Sequence, residues 1–238
     1  MSHTTISMHA FYEDDDTAAD GYLSRPSDPG PWPAVVVLHE WWGLDPHFRA
    51  LSRRLAAEGY VVLVPDLYDG TVATEEETAA RLKTSLDTDW AADAATAGVP
   101  YLRSLPFVDT DAGVGLMGYC MGGGVALLAA GRGDFDAMVA YFPSMYPDDE
   151  ELALIDLPTL FHYGTEDVVT PRYELDRILE AYDEAGTPYE LYEYEGAGHA
   201  FTNDTYEELY VESAAEESWP RTVEFLDEHL RGEASTGN

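Results

Sequence analysis

The 238-residue chain contains a single cysteine, a single lysine and no long uninterrupted apolar run. One cysteine excludes an intrachain disulfide. A membrane-spanning helix needs about 20 consecutive apolar residues, and a signal peptide needs a basic start followed by an apolar stretch and small residues. Neither pattern is present. The sequence therefore predicts a cytoplasmic protein that is not bound to a membrane.

Cationic side chains are also scarce. Asp and Glu number 46 against 12 Lys and Arg, which gives a formal net charge of −34. The acidic residues are spread through segments that look folded, which argues against an acidic tail or a partner-binding face. Multimolar salt shortens the Debye length to roughly 3 Å and screens such self-repulsion. We therefore expect an extremely halophilic source, and we do not expect nucleic acid or anionic membranes as partners.

The single cysteine, Cys120, lies where an apolar strand segment runs directly into an apolar helical segment. Gly118 and Gly122 flank it at two residues on either side. This is the pattern of a nucleophile elbow, whose strained turn carries the nucleophile toward solvent and requires small neighbours. The helix behind it directs N–H groups and a positive dipole end at the sulfur, which favours the thiolate. A lone cysteine is often a small buried apolar residue, but such a residue needs no glycine on both sides. Cys120 is therefore the predicted nucleophile.

Two later loops supply the partners that a nucleophile needs in an α/β-hydrolase fold, in the required chain order. The apolar segment 157–164 ends in a polar loop that contains Asp167. The alternating segment 189–194 ends in a glycine-rich loop that contains His199. Taken singly, each is more typical of an ordinary loop residue. Following an elbow in this order, they are the predicted acid and base of a catalytic triad.

An apolar strand segment upstream ends in a polar and aromatic loop. In this fold one N–H of the oxyanion hole comes from the residue after the nucleophile and another from a loop of this kind, which predicts Met121 and Trp41. Glu40 lies beside tryptophans, where desolvation would raise its pKa and suit it to proton exchange. The alternative is that it is one more exposed acid. His39, Glu40 and His47 lack the spacing of a helical zinc site, so neither a metal nor a cofactor is predicted.

After about residue 30, apolar strand segments alternate with amphipathic helical segments, which is typical of α/β proteins. We predict a three-layer α/β-hydrolase fold with a mostly parallel central sheet flanked by helices. The length suits one domain with a large core, predicted over residues 1–231, with a frayed tail over 232–238. The oligomeric state is not encoded in any pattern we recognise, and a monomer is the expectation.

Local patterns also predict where several helices begin. Asp45, followed by proline, is typical of an N-cap. Thr74 and Glu77 have the spacing of a capping box, which predicts that a helix starts at Thr74. A last helix is expected after Ser218.

Several segments together resemble the dienelactone hydrolase (carboxymethylenebutenolidase) family. They are His39-Glu40-Trp41-Trp42-Gly43, Val64-Pro65-Asp66-Leu67-Tyr68, Gly118-Tyr119-Cys120-Met121-Gly122-Gly123, Asp167 and Gly196-Ala197-Gly198-His199-Ala200-Phe201. The resemblance covers about residues 5 to 230. The combination of a cysteine elbow with the glutamate separates this family from the serine esterases of the same fold. It implies that Glu40 is a fourth catalytic residue, which holds the resting thiol and accepts its proton as substrate binds.

The chain departs from the family where the dienelactone-cleaving members bind the substrate carboxylate. Those members carry an arginine shortly after the Gly-His-x-Phe segment, where this chain has Thr-Asn-Asp at 202–204. They carry a second arginine before the elbow, where this chain has three glutamates at 75–77 and Arg81 in a different register. The hydrolase residues are thus present, while the identity of the substrate does not transfer.

These patterns predict a hydrolase that cleaves a small-molecule carboxylic ester or lactone through an acyl-cysteine intermediate. Cys120 would form the acyl-enzyme, and His199, oriented by Asp167, would take up the proton and activate the deacylating water. Four aromatic residues are candidates for the pocket wall, although plain packing explains them equally well: Trp42, Tyr68, Tyr141 and Tyr146.

Two alternatives stay open. A general esterase, thioesterase or peptidase of the same fold would share the triad and differ only in the pocket. A redox-sensing or ligand-binding protein that uses Cys120 would leave Asp167 and His199 without a role.

Overall fold

The computed structural model describes residues 3–14 and 17–231, and its strands form one eight-stranded sheet. The strands are β1 Thr5–Glu13, β2 Ala18–Pro26, β3 Ala34–Leu38, β4 Val61–Pro65, β5 Val114–Tyr119, β6 Ala137–Tyr141, β7 Thr159–Gly164 and β8 Tyr189–Tyr194. Their order in the sheet is β1-β2-β4-β3-β5-β6-β7-β8. The β1–β2 and β2–β4 pairs are antiparallel, and all other pairs are parallel. The prediction of a mostly parallel sheet is confirmed.

Helices cover both faces of this sheet. They are α1 Pro46–Ala57, α2 Glu76–Ser85, α3 Thr88–Arg103, α4 Met121–Ala130, α5 Asp149–Leu152, α6 Arg172–Ala185 and α7 Glu212–Leu230. Neighbouring residues of β3 show the two layers. The side chain of Val36 points toward Gly98 of α3. The side chain of Val35 points toward Gly115 of β5, on the face of the sheet that Leu226 of α7 covers. Successive side chains of a strand point to opposite faces, so α3 and α7 lie on opposite sides and the three-layer prediction is confirmed.

The five strands from the middle of the sheet, β3 to β7, are buried at every residue. A parallel sheet that is covered on both faces produces such continuous apolar strands. The outer strands β1 and β8 instead mix buried and exposed residues. The carboxyl ends of the buried strands therefore provide a rigid base for the loops that follow them.

The helix starts agree only in part with the sequence predictions. Asp45 caps α1 as predicted, since its Oδ1 accepts from the Phe48 N–H at 3.0 Å. The capping box predicted at Thr74 is wrong, because α2 starts at Glu76 and its N-cap side chain makes no capping hydrogen bond. Three consecutive glutamates can supply an acidic first turn for helices that start at different residues, so they do not fix the first residue of α2.

The last helix also begins earlier than predicted. Ser218 lies inside α7, where its Oγ donates to the Ala215 carbonyl at 3.2 Å and so bonds back to the preceding turn instead of capping a new helix. The predicted tail, residues 232–238, lies outside the described residues. No helix within the described ranges is long and apolar enough to cross a membrane.

Candidate active site

Cys120 forms the sharp turn between β5 and α4. Its backbone has φ +51° and ψ −117°, a strained conformation for a residue with a side chain. A Cβ on Gly118 would lie 2.2 Å from the Gly122 carbonyl oxygen, and a Cβ on Gly122 would lie 2.4 Å from the Leu38 carbonyl oxygen. Both positions therefore require glycine. The turn is held in place because the Cys120 carbonyl accepts from the Ser144 N–H at 2.8 Å.

The side chain of Cys120 is buried, with 6% of the residue exposed, although the elbow pattern predicts a solvent-facing sulfur. Ser144, in the loop after β6, covers it: Ser144 Oγ lies 3.5 Å from Sγ. Lys83 of α2 in turn donates from Nζ to Ser144 Oγ at 3.3 Å. Neither Ser144 nor Lys83 lies in a motif that marks it as a site residue. The one sequence feature that could have drawn attention to Lys83 is that it is the only lysine in a chain with 46 acidic residues.

Asp167 and His199 lie in hydrogen-bond contact. His199 Nδ1 is 2.8 Å from Asp167 Oδ2, and the Asp167 side chain is fully buried. The other carboxylate oxygen accepts from the N–H groups of Val169 and Thr170, each at 2.8 Å. This fixes the carboxylate, so that His199 Nδ1 carries the hydrogen and the imidazole is oriented through it. His199 Nε2 is buried and has no hydrogen-bond partner among the described residues.

The charges around His199 favour its protonated form. Burial lowers the pKa of His199, but the negative charge of Cys120 and the hydrogen bond and charge of Asp167 raise it to about 10. A thiolate at Cys120 and an imidazolium at His199 therefore stabilise each other. Such a pair supplies both a nucleophile and a proton donor.

Glu40 is buried in the loop that follows β3, with 2% of the residue exposed. Its Oε2 accepts from Asn203 Nδ2 at 2.9 Å, while Oε1 has no partner among the described residues. Burial raises the pKa of Glu40, and the charge of His47 and the hydrogen bond from Asn203 oppose that rise. In the sequence, Asn203 stands out only as part of the Thr-Asn-Asp departure from the family pattern. An unpartnered carboxylate oxygen with a raised pKa is a potential proton acceptor.

The loop of Glu40 is held by His39 rather than by the thiol. His39 Nδ1 lies 2.7 Å from the Glu40 carbonyl oxygen, and His39 Nε2 accepts from the Leu67 N–H at 3.2 Å. Burial lowers the pKa of His39, so a neutral ring that donates from Nδ1 fits both contacts. No hydrogen bond joins Glu40 to Cys120 in the described part of the chain; the sulfur contacts Ser144 instead.

Two backbone N–H groups beside the sulfur are available as donors. Met121 is the first residue of α4, where N–H groups have no partner within the helix. Within residues 3–14 and 17–231, neither its N–H nor that of Trp41 donates a hydrogen bond. A Cβ on Gly122 would lie 2.6 Å from the His39 carbonyl oxygen, so the loop that carries Trp41 packs directly on the start of α4. This arrangement suits an oxyanion hole.

Two of the four predicted pocket residues pack elsewhere. Tyr141 is 1% exposed and its hydroxyl lies 2.7 Å from Thr222 Oγ1 of α7, so it belongs to the core between the sheet and α7. This packing does not support a place in the active-site wall, which stays a prediction. Trp42 is buried and stacks on Tyr206 at a ring distance of 4.9 Å, which is a packing role.

The other two aromatic residues lie close to the sulfur. The Tyr68 hydroxyl donates to Met121 Sδ at 2.9 Å, and burial together with the charge of Cys120 raises the pKa of Tyr68. The Tyr146 hydroxyl donates to the Val169 carbonyl at 3.2 Å. Burial raises the pKa of Tyr146, and the charges of Asp167 and Cys120 raise it further. The influence of Cys120 on both hydroxyls is consistent with the prediction that Tyr68 and Tyr146 line the substrate pocket.

Two cavities near the sheet do not have Cys120 in their lining. A cavity of about 340 Å³ lies between α1 and α7 and is lined partly by Tyr141. A second, of about 330 Å³, lies beside α4 and is lined partly by Tyr146. Among the described residues, no group of three or more His, Cys, Asp and Glu side chains is placed to hold a metal ion.

Comparisons with known proteins agree with this fold. The profile of the dienelactone hydrolase family matches residues 19–230. A carboxymethylenebutenolidase of Rhodococcus opacus is 30% identical over 223 residues, covering 88% of this chain and 86% of that protein. A carboxymethylenebutenolidase of Pseudomonas putida is 30% identical over 206 residues, covering 82% of this chain and 86% of that protein.

A solved structure shares the fold. A dienelactone hydrolase-like promiscuous phosphotriesterase from metagenomic libraries superposes with a TM-score of 0.85 at 22% identity, over 95% of this chain and 99% of that one. At this identity the likeness concerns the fold alone. It spans nearly the whole chain.

Proposed function

Since the chain belongs to the dienelactone hydrolase family and is a hydrolase of ester or lactone bonds, we propose that it cleaves a small-molecule carboxylic ester or lactone through an acyl-cysteine intermediate. Cys120 is the nucleophile, His199 the base and Asp167 the acid. The observation that carries the proposal is the 2.8 Å contact between Asp167 and His199, in a chain whose only cysteine occupies a strained turn at the start of α4.

In the acylation step, the thiolate sulfur of Cys120 attacks the carbonyl carbon of the substrate. The negative charge moves to the carbonyl oxygen, where the N–H groups of Trp41 and Met121 stabilise it. As the intermediate collapses, the carbon–oxygen bond to the leaving group breaks and the imidazolium of His199 donates its proton to the departing alkoxide. An ester releases an alcohol at this point, whereas a lactone opens and keeps its hydroxyl on the acyl group.

In the deacylation step, neutral His199 takes a proton from a water molecule, and the resulting hydroxide attacks the thioester carbon. The carbon–sulfur bond then breaks, which releases a carboxylic acid and regenerates the Cys120 thiolate. Asp167 keeps the imidazole oriented and stabilises its protonated form in both steps.

Glu40 is proposed as the fourth catalytic residue, which accepts the thiol proton when substrate binds. Its burial, its raised pKa and its unpartnered Oε1 support this role. Because Sγ contacts Ser144 in this structure, the role requires the thiol to turn toward Glu40 before the proton moves. The thiolate formed in this way is the species that attacks the substrate. When the product leaves, Glu40 returns its proton to the regenerated thiolate, which restores the resting thiol and the ionised carboxylate.

The test is hydrolysis of matched esters, thioesters and lactones that carry the same acyl group. Cys120→Ala should lower every activity to the background rate. Because the substrates share one acyl group, differences in rate among them report the preference for the leaving group. A general esterase or thioesterase would prefer open-chain substrates, and a lactonase the cyclic one. Activity of Cys120→Ala within a few-fold of the unmodified enzyme would end the proposal. A redox or ligand-binding role would leave Cys120 unacylated by an activated ester.

We also propose a high-salt environment for this protein. Within residues 3–14 and 17–231, six arginines are paired with carboxylates, namely Arg103, Arg132, Arg172, Arg177, Arg221 and Arg231. With 46 acidic residues against 12 cations, most carboxylates must be neutralised by solvent ions. The same charge disfavours nucleic acid and anionic membranes as partners. Residues 1–231 are proposed to act as one cytoplasmic, monomeric catalytic domain.

A further inference from the structure

We propose that Ser144 and Lys83 form a hydrogen-bonded relay that stabilises the thiolate of Cys120. Ser144 donates a hydrogen bond to the sulfur, and Lys83 fixes the direction of that hydrogen bond. The inference rests on the proposed nucleophilic role of Cys120 and adds two positioning residues to it.

Ser144 is attached to Cys120 at two points. Its N–H donates to the Cys120 carbonyl at 2.8 Å, and its Oγ lies 3.5 Å from Sγ. Ser144 is 2% exposed, so water does not compete freely for the hydroxyl. The loop sits directly on α4, since a Cβ on Gly124 would lie 2.0 Å from the Ser144 carbonyl oxygen. The hydroxyl is therefore held against the sulfur by the backbone on both sides of the contact.

The contact with Lys83 leaves the hydroxyl hydrogen of Ser144 available to the sulfur. An ammonium group has three donors and no acceptor, so Ser144 Oγ must be the acceptor in its 3.3 Å contact with Lys83 Nζ. The single hydroxyl hydrogen of Ser144 is then free for the sulfur. A thiolate can only accept a hydrogen bond, whereas a thiol competes as a donor. The arrangement consequently favours the thiolate over the thiol.

The charge of Lys83 acts in the same direction. A chain of net charge −34 makes one more negative charge costly, and a half-buried cation that contacts the hydroxyl next to the sulfur offsets that cost. The same stabilisation applies again in deacylation, because the thiolate is the leaving group when the thioester is hydrolysed. Lys83 and Ser144 would thus assist both chemical steps without touching the substrate.

The single cysteine makes a direct test possible, since alkylation by iodoacetamide reports on Cys120 alone. We would measure the alkylation rate against pH in the full chain and find the midpoint of the profile. Ser144→Ala and Lys83→Met should each raise the midpoint by about one pH unit, a roughly tenfold loss of thiolate below the midpoint. Lys83→Arg should restore part of the shift, because a guanidinium also donates to Oγ.

Arg81 provides the matched control. It lies two residues before Lys83 on α2, is exposed and makes no hydrogen bond or ion pair with other described residues. Arg81→Met removes the same unit charge from the same helix and should leave the midpoint unchanged. Melting temperatures of all variants at one salt concentration show whether the fold is kept.

Three outcomes would overturn the relay. The midpoint could stay unchanged in Ser144→Ala and Lys83→Met, or it could move equally in Arg81→Met, which would indicate a general charge effect. Alternatively, Lys83→Met could raise only the KM for carboxylate-bearing esters with the alkylation profile unchanged, which would make Lys83 a substrate-binding residue. Failure of the proposed function is separate: it would appear as hydrolysis by Cys120→Ala, whatever the alkylation profile.

Discussion

Replacement of Glu40 by glutamine separates its proposed proton transfer from its structural contacts. Glutamine keeps the shape of the side chain, and its carbonyl oxygen can still accept from Asn203 Nδ2, which donates to Glu40 at 2.9 Å. The amide cannot take a proton from a thiol. Folding and substrate binding should therefore survive, and the loss should fall on acylation.

The size of the kinetic effect follows from the value of general-base assistance. Such assistance is typically worth about 10²–10⁴-fold, so the single-turnover acylation rate of Glu40→Gln should fall by that order. The deacylation rate should change little, because in the proposed mechanism His199, and not Glu40, activates the water in that step. An activated ester with a chromogenic leaving group and rapid mixing would resolve the two phases.

The stability of the same variant carries a signed pH dependence. Burial raises the pKa of Glu40 above its ordinary 4.5, so in this pH range the folded carboxyl binds protons more readily than the unfolded one. Wild-type stability should therefore fall as pH rises from about 4.5 through the folded pKa, and Glu40→Gln should lack that fall. A pKa difference of one unit corresponds to ~1.4 kcal/mol of unfolding free energy. For a chain of this size, each kcal/mol shifts Tm by about 2–4 °C.

Glu195→Gln is the matched control, since Glu195 is exposed in the loop before His199 and loses the same charge. It should change neither the acylation rate nor the pH dependence of Tm. The reasoning about Glu40 would be refuted if Glu40→Gln acylates at the wild-type rate, or if its Tm difference from wild type is the same at pH 4 and pH 8.

Four further outcomes are expected. Asp167→Asn should lower the pKa of His199 from about 10, as read from the ring NMR signals. The stability that His199 contributes is complete below its ordinary pKa of 6.5 and is lost as pH rises through the folded pKa. In Asp167→Asn this loss should occur at lower pH. Gly118→Ala should destabilise the fold by about 1–3 kcal/mol or more in chemical denaturation, because its Cβ would meet a carbonyl oxygen at 2.2 Å. Tyr141→Phe should cost about 1 kcal/mol through its lost contact with Thr222 and leave kcat unchanged. Tm should rise steeply between dilute buffer and molar KCl, and equal values at both would contradict the halophilic proposal.

The parts of the fold and site that follow from local sequence could be predicted. Cys120 is marked by its flanking glycines, because a close strand-to-helix turn tolerates nothing larger. Asp167 and His199 follow from their order after later strands, and Asp45 from the chemistry of N-caps. For Cys120 and Asp45 the cause lies within a few residues of the consequence, whereas Asp167 and His199 follow from the order of elements that the fold class requires. Their catalytic roles remain predictions.

The parts that depend on distant contacts could not be predicted. Lys83 reaches Ser144 across 61 positions of the chain, and Asn203 reaches Glu40 across 163. No local pattern encodes either pair. The packing of Tyr141 against α7 could not be predicted for a related reason, since it depends on the register of Tyr141 opposite Tyr119 in the assembled sheet.

The most direct measurement of the central claim is the intact mass of the protein, quenched during turnover of an activated ester. The proposed mechanism predicts an increase equal to the acyl group, confined to the peptide that contains Cys120 and absent from Cys120→Ala. The adduct should disappear when substrate is exhausted. Steady hydrolysis by the wild-type chain with no acyl adduct at any quench time, or with the adduct on another residue, would contradict an acyl-cysteine intermediate.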